Sequence, residues 1–285
     1  MNRRWIGLAS LASVLMLAQL GDGQYRRGGG RGRGRPAMQV PQWENDPEFP
    51  HDVFTFVRIR YSSGGGYGRG WERWATDYPD SDLNFSYRLQ ELTSLQVHRE
   101  FEVRGEGKVI ELTDDALFDY PFIYIVEPGG LYFYEPEVEA LRKYLLNGGF
   151  LMVDDFWGDD EWYNFYHQIK RVFPNRELKD LEYDHPIFHL VYDLEDMPQI
   201  PAINAAWAGQ ATGQTWERSW DPTTREPHYR AIYDDQDRMM AIICHNTDLG
   251  DGWEREGEDE WYFREFSEKK AYPLGINIVV YAMTH

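Results

Sequence analysis

Two apolar runs of the chain lead directly into acidic residues. Residues 122–126 (FIYIV) are followed by Glu127, and residues 150–153 (FLMV) are followed by Asp154 and Asp155. An uninterrupted apolar run bounded by glycine and acid is typical of a central strand of a parallel sheet, which is buried on both faces. Open parallel sheets bind ligands just beyond the carboxyl ends of their strands, so the pattern predicts a site at these acidic residues.

The segment between these two runs has the periodicity of a helix. Apolar residues recur at helical spacing over 138–146, Pro136 stands where a first turn favours proline, and residues 147–149 (NGG) end the pattern. A strand, a helix and a strand joined by short connections predict a βαβ unit with a right-handed crossover.

Similar patterns continue along the rest of the chain. They predict a strand over 54–62, a helix that begins near Asp82, a helix with an acidic first turn at 159–161, a hairpin formed by 229–233 and 239–244, and a C-terminal helix over 273–284. Alternating elements of this kind predict one α/β domain over 53–285, a three-layer sandwich with a mainly parallel sheet.

The N-terminus has the pattern of an export signal. Arg3 and Arg4 precede an apolar run over 6–20, and small residues follow it, which predicts a secretory signal peptide over 1–23. The run is shorter than the roughly 20 residues that cross a bilayer, so we expect no transmembrane segment in the mature protein. With Cys244 as its single cysteine the chain forms no intrachain disulfide, and we expect a bacterial periplasmic or secreted protein.

The segment 24–52 is a Gly/Arg-rich and Pro-rich lead-in to the domain. Residues 24–36 alternate Gly with Arg, which predicts a flexible basic tail that acts as a solvated spacer or touches acidic polymers. The first 36 residues hold seven Arg and one Asp, which is a net charge of +6. Because the whole chain has a net charge of −19, the residues after position 36 carry −25. A body this acidic repels phosphate backbones, which argues against nucleic acid as a partner and favours cations, sugars or a basic protein.

Asp154 and Asp155 point to opposite faces if the strand continues through them. We therefore expect at most one of them to face the cleft, while the other caps the helix that follows. Together with Glu127 on the neighbouring strand, they would form an oxygen-rich pocket suited to a divalent cation or to a shared proton.

Four further polar residues follow the last strand, and Trp71 ends a glycine-rich loop. His245, Asn246, Asp248 and Asp251 either shape a turn or hold a sugar or a metal ion, with His245 as a base in the second case. Trp71 is a candidate for stacking on the face of a sugar, because aromatic rings flanked by acids commonly bind carbohydrate. The glycine-rich loop lacks the Lys-Ser/Thr pair of a phosphate-binding loop.

Four stretches of the chain resemble a known family. Residues 74–85 (WATDYPDSDLNF), 148–156 (GGFLMVDDF), 184–188 (DHPIF) and 245–253 (HNTDLGDGW) occur in the order found in the bacterial DUF4159 family, a domain of unknown function. The resemblance runs from about residue 53 to the C-terminus. It implies a flavodoxin-like fold similar to the class I glutamine amidotransferases and the trehalose-utilisation proteins.

The chain departs from those enzymes at the position of their nucleophile. Amidotransferases of that fold place a reactive Cys in a strand-to-helix turn, where this chain has Asp154 and Asp155, and Cys244 lies inside an apolar strand. Amidotransferase activity is therefore not expected. We expect a non-catalytic binding or assembly module for an envelope protein or carbohydrate. The alternative is an envelope hydrolase, acting on glycans or assisted by a metal, that uses the strand-end carboxylates with His245.

Overall fold

A seven-stranded, mostly parallel sheet forms the centre of the structure, a computed structural model that describes residues 41, 43–45, 48, 52–63, 72–98 and 107–285. The predicted signal peptide, the tail over 24–36 and Trp71 lie outside the described residues. The strands are β1 (Val57–Arg60), β2 (Ser62–Ser63), β3 (Lys108–Glu111), β4 (Phe122–Val126), β5 (Leu131–Tyr132), β6 (Phe150–Asp154), β7 (Lys179–Asp180), β8 (His228–Tyr233) and β9 (Met239–His245).

The strand order of the large sheet is β3-β1-β4-β6-β9-β8-β7. The first five of these strands are parallel, and β8 and β7 extend the sheet in antiparallel fashion. Numbered among themselves, the parallel strands have the order 2-1-3-4-5, which reverses direction between β1 and β4 and so creates the crevice in which doubly wound sheets bind ligands. The predicted βαβ unit and the β8–β9 hairpin are confirmed, and β2 pairs with β5 in a separate small sheet.

Helices cover both faces of this sheet. They are α1 (Asp80–Leu92), α2 (Glu135–Leu146), α3 (Gly158–Val172), α4 (Ile203–Gly209), α5 (Leu249–Glu254), α6 (Glu260–Tyr262) and α7 (Tyr272–Thr284), and a π-helical segment, Phe263–Ala271, joins α6 to α7. The α/β class and the sandwich are therefore as the sequence predicts, whereas the specific likeness to amidotransferases stays a prediction.

The strands divide their side chains between two hydrophobic cores. Along β4, Phe122 and Tyr124 face the core beneath α1, α5 and α7, while Ile123 and Ile125 face the core beneath α2 and α3. This alternation explains why the strand reads as a continuous apolar run, because both of its faces are buried. None of the described helices is long and apolar enough to cross a membrane.

Two element boundaries differ from those that the sequence predicts. The first strand spans only Val57–Arg60, and Phe54 makes an isolated bridge to Val97 instead of extending it. Helix α1 begins at Asp80 instead of at Asp82, because the Asp82 carboxylate pairs with the fully buried Arg58 of β1 and is not used as a cap.

Candidate functional site

A cavity of about 480 Å³ lies beyond the carboxyl ends of the parallel strands. Its walls come from the segments that follow β1, β4, β6 and β9 and from residues on either side of α4. The acidic residues that line it are Asp77, Glu127, Glu161, Asp155, Glu217, Asp248, Asp251 and Glu254, and its arginines are Arg73, Arg218 and Arg255. The cavity therefore occupies the place that the sequence predicts for a site, and acidic residues outnumber basic ones there.

Three of these carboxylates stand on left-handed backbone. The φ angles are +61° at Asp77, +46° at Glu127 and +56° at Asp155. Residues other than glycine pay on the order of 1–3 kcal/mol for this conformation, and such strain concentrates at functional sites. At the ends of β4 and β6, the turn aims the side chain away from the strand direction and into the cavity.

The carboxylates form two groups that share one member. One oxygen each of Asp77, Asp155 and Asp248 lie within 4.8 Å of one another, and the same holds for Asp77, Asp251 and Glu254. Asp155 and Asp248 are 7% and 4% exposed, so these charges are held close together with little water. Crowding of this kind is relieved by a proton or by a bound cation.

The pKa values of the first group reflect this crowding. Burial raises the pKa of Asp77 well above its ordinary value, and the charges of Asp251 and Glu254 add to the effect. Burial also raises the pKa of Asp155 and of Asp248, with Glu127 as the main charged neighbour of Asp155, and Asp155 as that of Asp248. These groups would therefore hold protons at a pH at which exposed carboxyls are ionised.

Asp77 is the most unusual member of the cluster. Its Oδ2 atom is buried and has no hydrogen-bond partner among the described residues. Asp155, by contrast, accepts a hydrogen bond at Oδ1 from the Trp157 indole (3.1 Å), and Asp248 accepts one at Oδ1 from the backbone N–H of Asp251 (2.7 Å). A buried carboxylate oxygen without a donor is costly, so Asp77 is suited to an added ligand.

Asp154 faces away from the cavity. Its Oδ2 accepts hydrogen bonds from the Tyr124 hydroxyl (3.1 Å) and from the backbone N–H groups of Leu249 (2.9 Å) and Gly250 (3.1 Å) at the start of α5. Burial raises its pKa to about 7, although these hydrogen bonds oppose the shift. We expected one of the two aspartates to cap α3, the helix that follows β6, and this is wrong. Asp154 instead accepts from the first N–H groups of α5. It reaches them because α5 follows the neighbouring strand β9 and begins over the end of β6.

Other side chains hold the start of α3. Glu161 accepts from the backbone N–H of Trp157 (2.9 Å), and Asn246 accepts from that of Gly158 (2.8 Å). The Nδ2 of Asn246 donates to the carbonyl oxygens of Thr223 and Glu226, both at 2.8 Å. Asn246 thus joins β9, α3 and a neighbouring loop and does not line the cavity.

His245 is also placed outside the cavity lining. It is 3% exposed and packs against the rings of Phe156 (centroids 4.8 Å apart) and Trp162 (5.3 Å). Its Nε2 lies 3.1 Å from the carbonyl oxygen of Gly158. Burial lowers its pKa to about 3, so the imidazole is neutral at physiological pH. Of the predicted site residues that the structure describes, Glu127, Asp155, Asp248 and Asp251 line the cavity, and Asp154, His245 and Asn246 do not.

The three arginines are paired with cavity carboxylates. Arg73 lies 3.6 Å from Glu127 and 3.5 Å from Glu161, and Arg218 lies 2.7 Å from Glu161. Arg255 lies 2.9 Å from Asp251. The positive charges therefore lie next to Glu127, Glu161 and the group of Asp77, Asp251 and Glu254. Asp155 and Asp248 have no ion pair within 4.0 Å among the described residues.

Sequence reasoning missed Asp77, Glu217, Glu254 and the buried Arg58, whereas it named Asp251 among the polar residues that follow the last strand. Asp77 does fall within one of the stretches that resemble the DUF4159 family, residues 74–85, so the resemblance carried a signal for it. Arg58 and Arg60 both interrupt the apolar residues of β1 and only Arg58 is buried, so the pattern did not distinguish the buried charge. The Arg58 guanidinium donates to the carbonyl oxygens of Trp74 (2.9 Å) and Thr76 (2.8 Å), which fixes the loop that ends in Asp77.

The fold and the cavity together define an α/β domain with an acidic crevice at the carboxyl edge of its parallel sheet. The chain belongs to the DUF4159 family, described as a domain of unknown function, whose sequence model matches residues 55–283. A comparison with curated proteins finds no match. Every acidic residue that lines the cavity lies within the matched range.

Proposed function

We propose that this protein is a binding module whose acidic cavity holds a divalent cation. The observation that carries the proposal is the group formed by Asp77, Asp155 and Asp248, in which one buried oxygen of Asp77 has no hydrogen-bond partner. A divalent cation would supply that partner and would neutralise the crowded carboxylates at the same time.

The kind of ion follows from the kind of ligand. The cavity offers carboxylate oxygens, and neither Cys nor His is among the described residues that line it. Oxygen-only sites suit hard cations such as Ca²⁺, Mg²⁺ and Mn²⁺, whereas thiolate and imidazole ligands favour Zn²⁺ and Cu²⁺. We therefore propose a hard divalent cation as the ligand.

The sequence also supports a cellular location and a class of partner for this protein. The N-terminal pattern supports an exported protein of the bacterial periplasm or exterior, and the acidic body supports a partner that is not nucleic acid. We propose an envelope protein or a carbohydrate as the partner, with the ion joining its oxygen atoms to the cavity. The cavity has space for such groups beside an ion, and Trp157 forms part of its wall.

Metal-assisted hydrolysis is a second candidate, and Glu217 favours it. Glu217 lines the cavity, and burial raises its pKa to about 7, although a hydrogen bond from the backbone N–H of Ala202 (2.7 Å) opposes the shift. A carboxyl group that titrates near neutral pH is suited to accept a proton from a water molecule that a nearby cation activates. His245 does not line the cavity, so in this candidate Glu217 takes the role of base.

Calorimetric titration and thermal unfolding with Ca²⁺, Mg²⁺, Mn²⁺ and Zn²⁺ test the proposal. We expect a hard cation to bind, and an ion at about 1,000 times its Kd to raise the free energy of unfolding by about 4 kcal/mol. Asp155→Asn should reduce this response. Asp159→Asn should keep it, because Asp159 is exposed in the first turn of α3 and does not line the cavity. No response to any of the four ions in the wild type would refute the proposal.

An assay for substrate cleavage distinguishes the binding module from the metal-assisted hydrolase. If the protein is a hydrolase, the ion-loaded form should cleave chromogenic phosphate esters or glycosides, and Glu217→Gln should stop cleavage while ion binding persists. A binding module takes up the ion with no cleavage in either variant.

A further inference from the structure

We infer that the cavity holds two divalent cations and that the carboxylate of Asp77 lies between them as a shared ligand. The inference rests on the proposed function, since it concerns the same cavity, and it adds the number of ions and the residue that couples them.

The geometry of the two groups points to two ions. Asp155 and Asp248 form one group with Asp77, and Asp251 and Glu254 form the other with Asp77. Within each group the ligand atoms lie within 4.8 Å of one another, a spread that a single ion can bridge. A carboxylate has two oxygens and can give one to each ion, and carboxylate-bridged pairs hold their ions about 3.5–4 Å apart.

Asp77 is the member of the cluster best prepared for this role. Its Oδ2 is buried without a hydrogen-bond donor, whereas Asp155 and Asp248 each commit Oδ1 to a donor. The α5 backbone approaches Asp77 closely at Gly250, where an added Cβ would lie 2.6 Å from Oδ2. A side chain at position 250 would therefore clash with Oδ2, so glycine is the residue that fits beside Asp77.

Charge also favours a second ion. Eight acidic residues and three arginines line the cavity, so its walls carry a net charge of −5 when all of them are ionised. One divalent cation leaves −3, and two leave −1. Because unbalanced charge in a partly dehydrated cavity is costly, the second ion is favoured for the same reason as the first.

The two positions differ in their surroundings, which predicts unequal affinities. Asp251 lies 2.9 Å and Glu254 lies 2.7 Å from Arg255, so a cation in their group meets a nearby positive charge. The group of Asp155 and Asp248 has no arginine within ion-pair distance among the described residues. We therefore expect the tighter ion beside Asp155 and the weaker ion beside Glu254.

Mn²⁺ titration of the purified protein tests the inference, with native mass spectrometry for stoichiometry and electron paramagnetic resonance for coupling between ions. We expect two Mn²⁺ per wild-type chain with a spin-coupled signal, because a shared carboxylate holds the ions close together. Glu254→Gln should bind one Mn²⁺ with an uncoupled signal. Asp77→Asn should lose the coupled signal. The matched control Glu258→Gln should still bind two coupled ions, because Glu258 pairs with Arg255 but does not line the cavity.

Each outcome separates this inference from the proposed function. A wild type that saturates at one Mn²⁺, with Glu254→Gln unchanged, overturns the two-ion site and leaves the cation-binding module standing. Two ions without spin coupling overturn the shared role of Asp77. A wild type that binds no Mn²⁺, Ca²⁺ or Mg²⁺ overturns both. Circular dichroism of each variant establishes that loss of an ion is not loss of the fold.

Discussion

At the residue scale, the neighbours Asp154 and Asp155 have different roles. Asp155 faces the cavity, and Asp154 accepts hydrogen bonds from Tyr124 and from the start of α5. Strand alternation predicts that only one of the pair enters the cleft. It does not predict which one, because the donors to Asp154 come from residues that lie far along the chain and are brought to β6 only by the completed sheet.

Substitution of each aspartate should therefore have a different effect. Asp155→Asn removes a crowded carboxyl group and keeps an oxygen for the Trp157 indole, so we expect unchanged or higher stability and a reduced response to cations. Asp154→Ala leaves three donors without their acceptor, and we expect a loss of about 2–4 kcal/mol with the response to cations retained. Urea denaturation of both variants with and without Mn²⁺ measures these effects. The assignment fails if Asp154→Ala reduces the cation response and Asp155→Asn leaves it unchanged.

His245 should make stability depend on pH. Its pKa is about 3 in the folded protein against an ordinary 6.5, so the unfolded chain binds a proton first as the pH falls. The contribution of His245 is complete above pH 6.5 and is lost progressively down to pH 3, by up to about 3 kcal/mol at pH 4. Carboxyls with raised pKa values act in the opposite direction, so the measurement is the difference between wild type and His245→Gln over pH 4–7. A difference that does not vary with pH would contradict this account.

Cys244 should be chemically inert in the folded protein. It is fully buried in β9, and burial raises the pKa of its thiol well above the ordinary value. We expect iodoacetamide to leave the native protein unlabelled and Cys244→Ser to cost about 1–2 kcal/mol without changing cation binding. Rapid labelling of the native thiol would reopen the comparison with amidotransferases.

At the element scale, α5 is a helix that the sequence pattern did not predict. Its six residues include Gly250 and Gly252, which have low helix propensity, so residues 245–253 read as a turn. The glycines are present because the helix is packed closely on both sides. An added Cβ would lie 2.6 Å from Asp77 Oδ2 at Gly250 and 2.5 Å from Ala271 Cβ at Gly252. Asp248 was a sequence signal for the start of this helix, because Asp is a preferred N-cap residue. In the structure its side chain accepts from the backbone N–H of Asp251.

The two glycines provide a matched pair of substitutions. Gly250→Ala and Gly252→Ala should each destabilise the protein by about 1–3 kcal/mol, because both place a methyl group in a filled space. Only Gly250→Ala should also weaken cation binding, because its methyl group meets a cavity carboxylate. Calorimetric titration of both folded variants with Mn²⁺ measures the difference, and equal affinities would remove Gly250 from the site.

At the scale of the whole molecule, local patterns predicted the elements better than their assembly. The apolar runs of β4 and β6 and the helix between them could be identified because each pattern is contained in a short segment. The same runs pointed to Glu127 and Asp155, which directly follow them. Asp77 could not be found in this way, because it lies on a loop well beyond the end of β1 and reaches the cavity through contacts that involve Arg58. The strand order, too, depends on pairings between distant segments.

The separate origins of the carboxylates have a consequence for kinetics. Asp77 follows the first parallel strand, Asp155 follows β6, and Asp248 follows β9, so the cation ligands meet only when the sheet is complete. An ion bound there stabilises the finished protein and not the half-formed one. It should therefore slow unfolding and leave the rate of folding unchanged. In stopped-flow measurements with Mn²⁺, the unfolding limb of the chevron should fall while the folding limb stays in place, whereas faster folding would mean that these three segments have already met at the transition state.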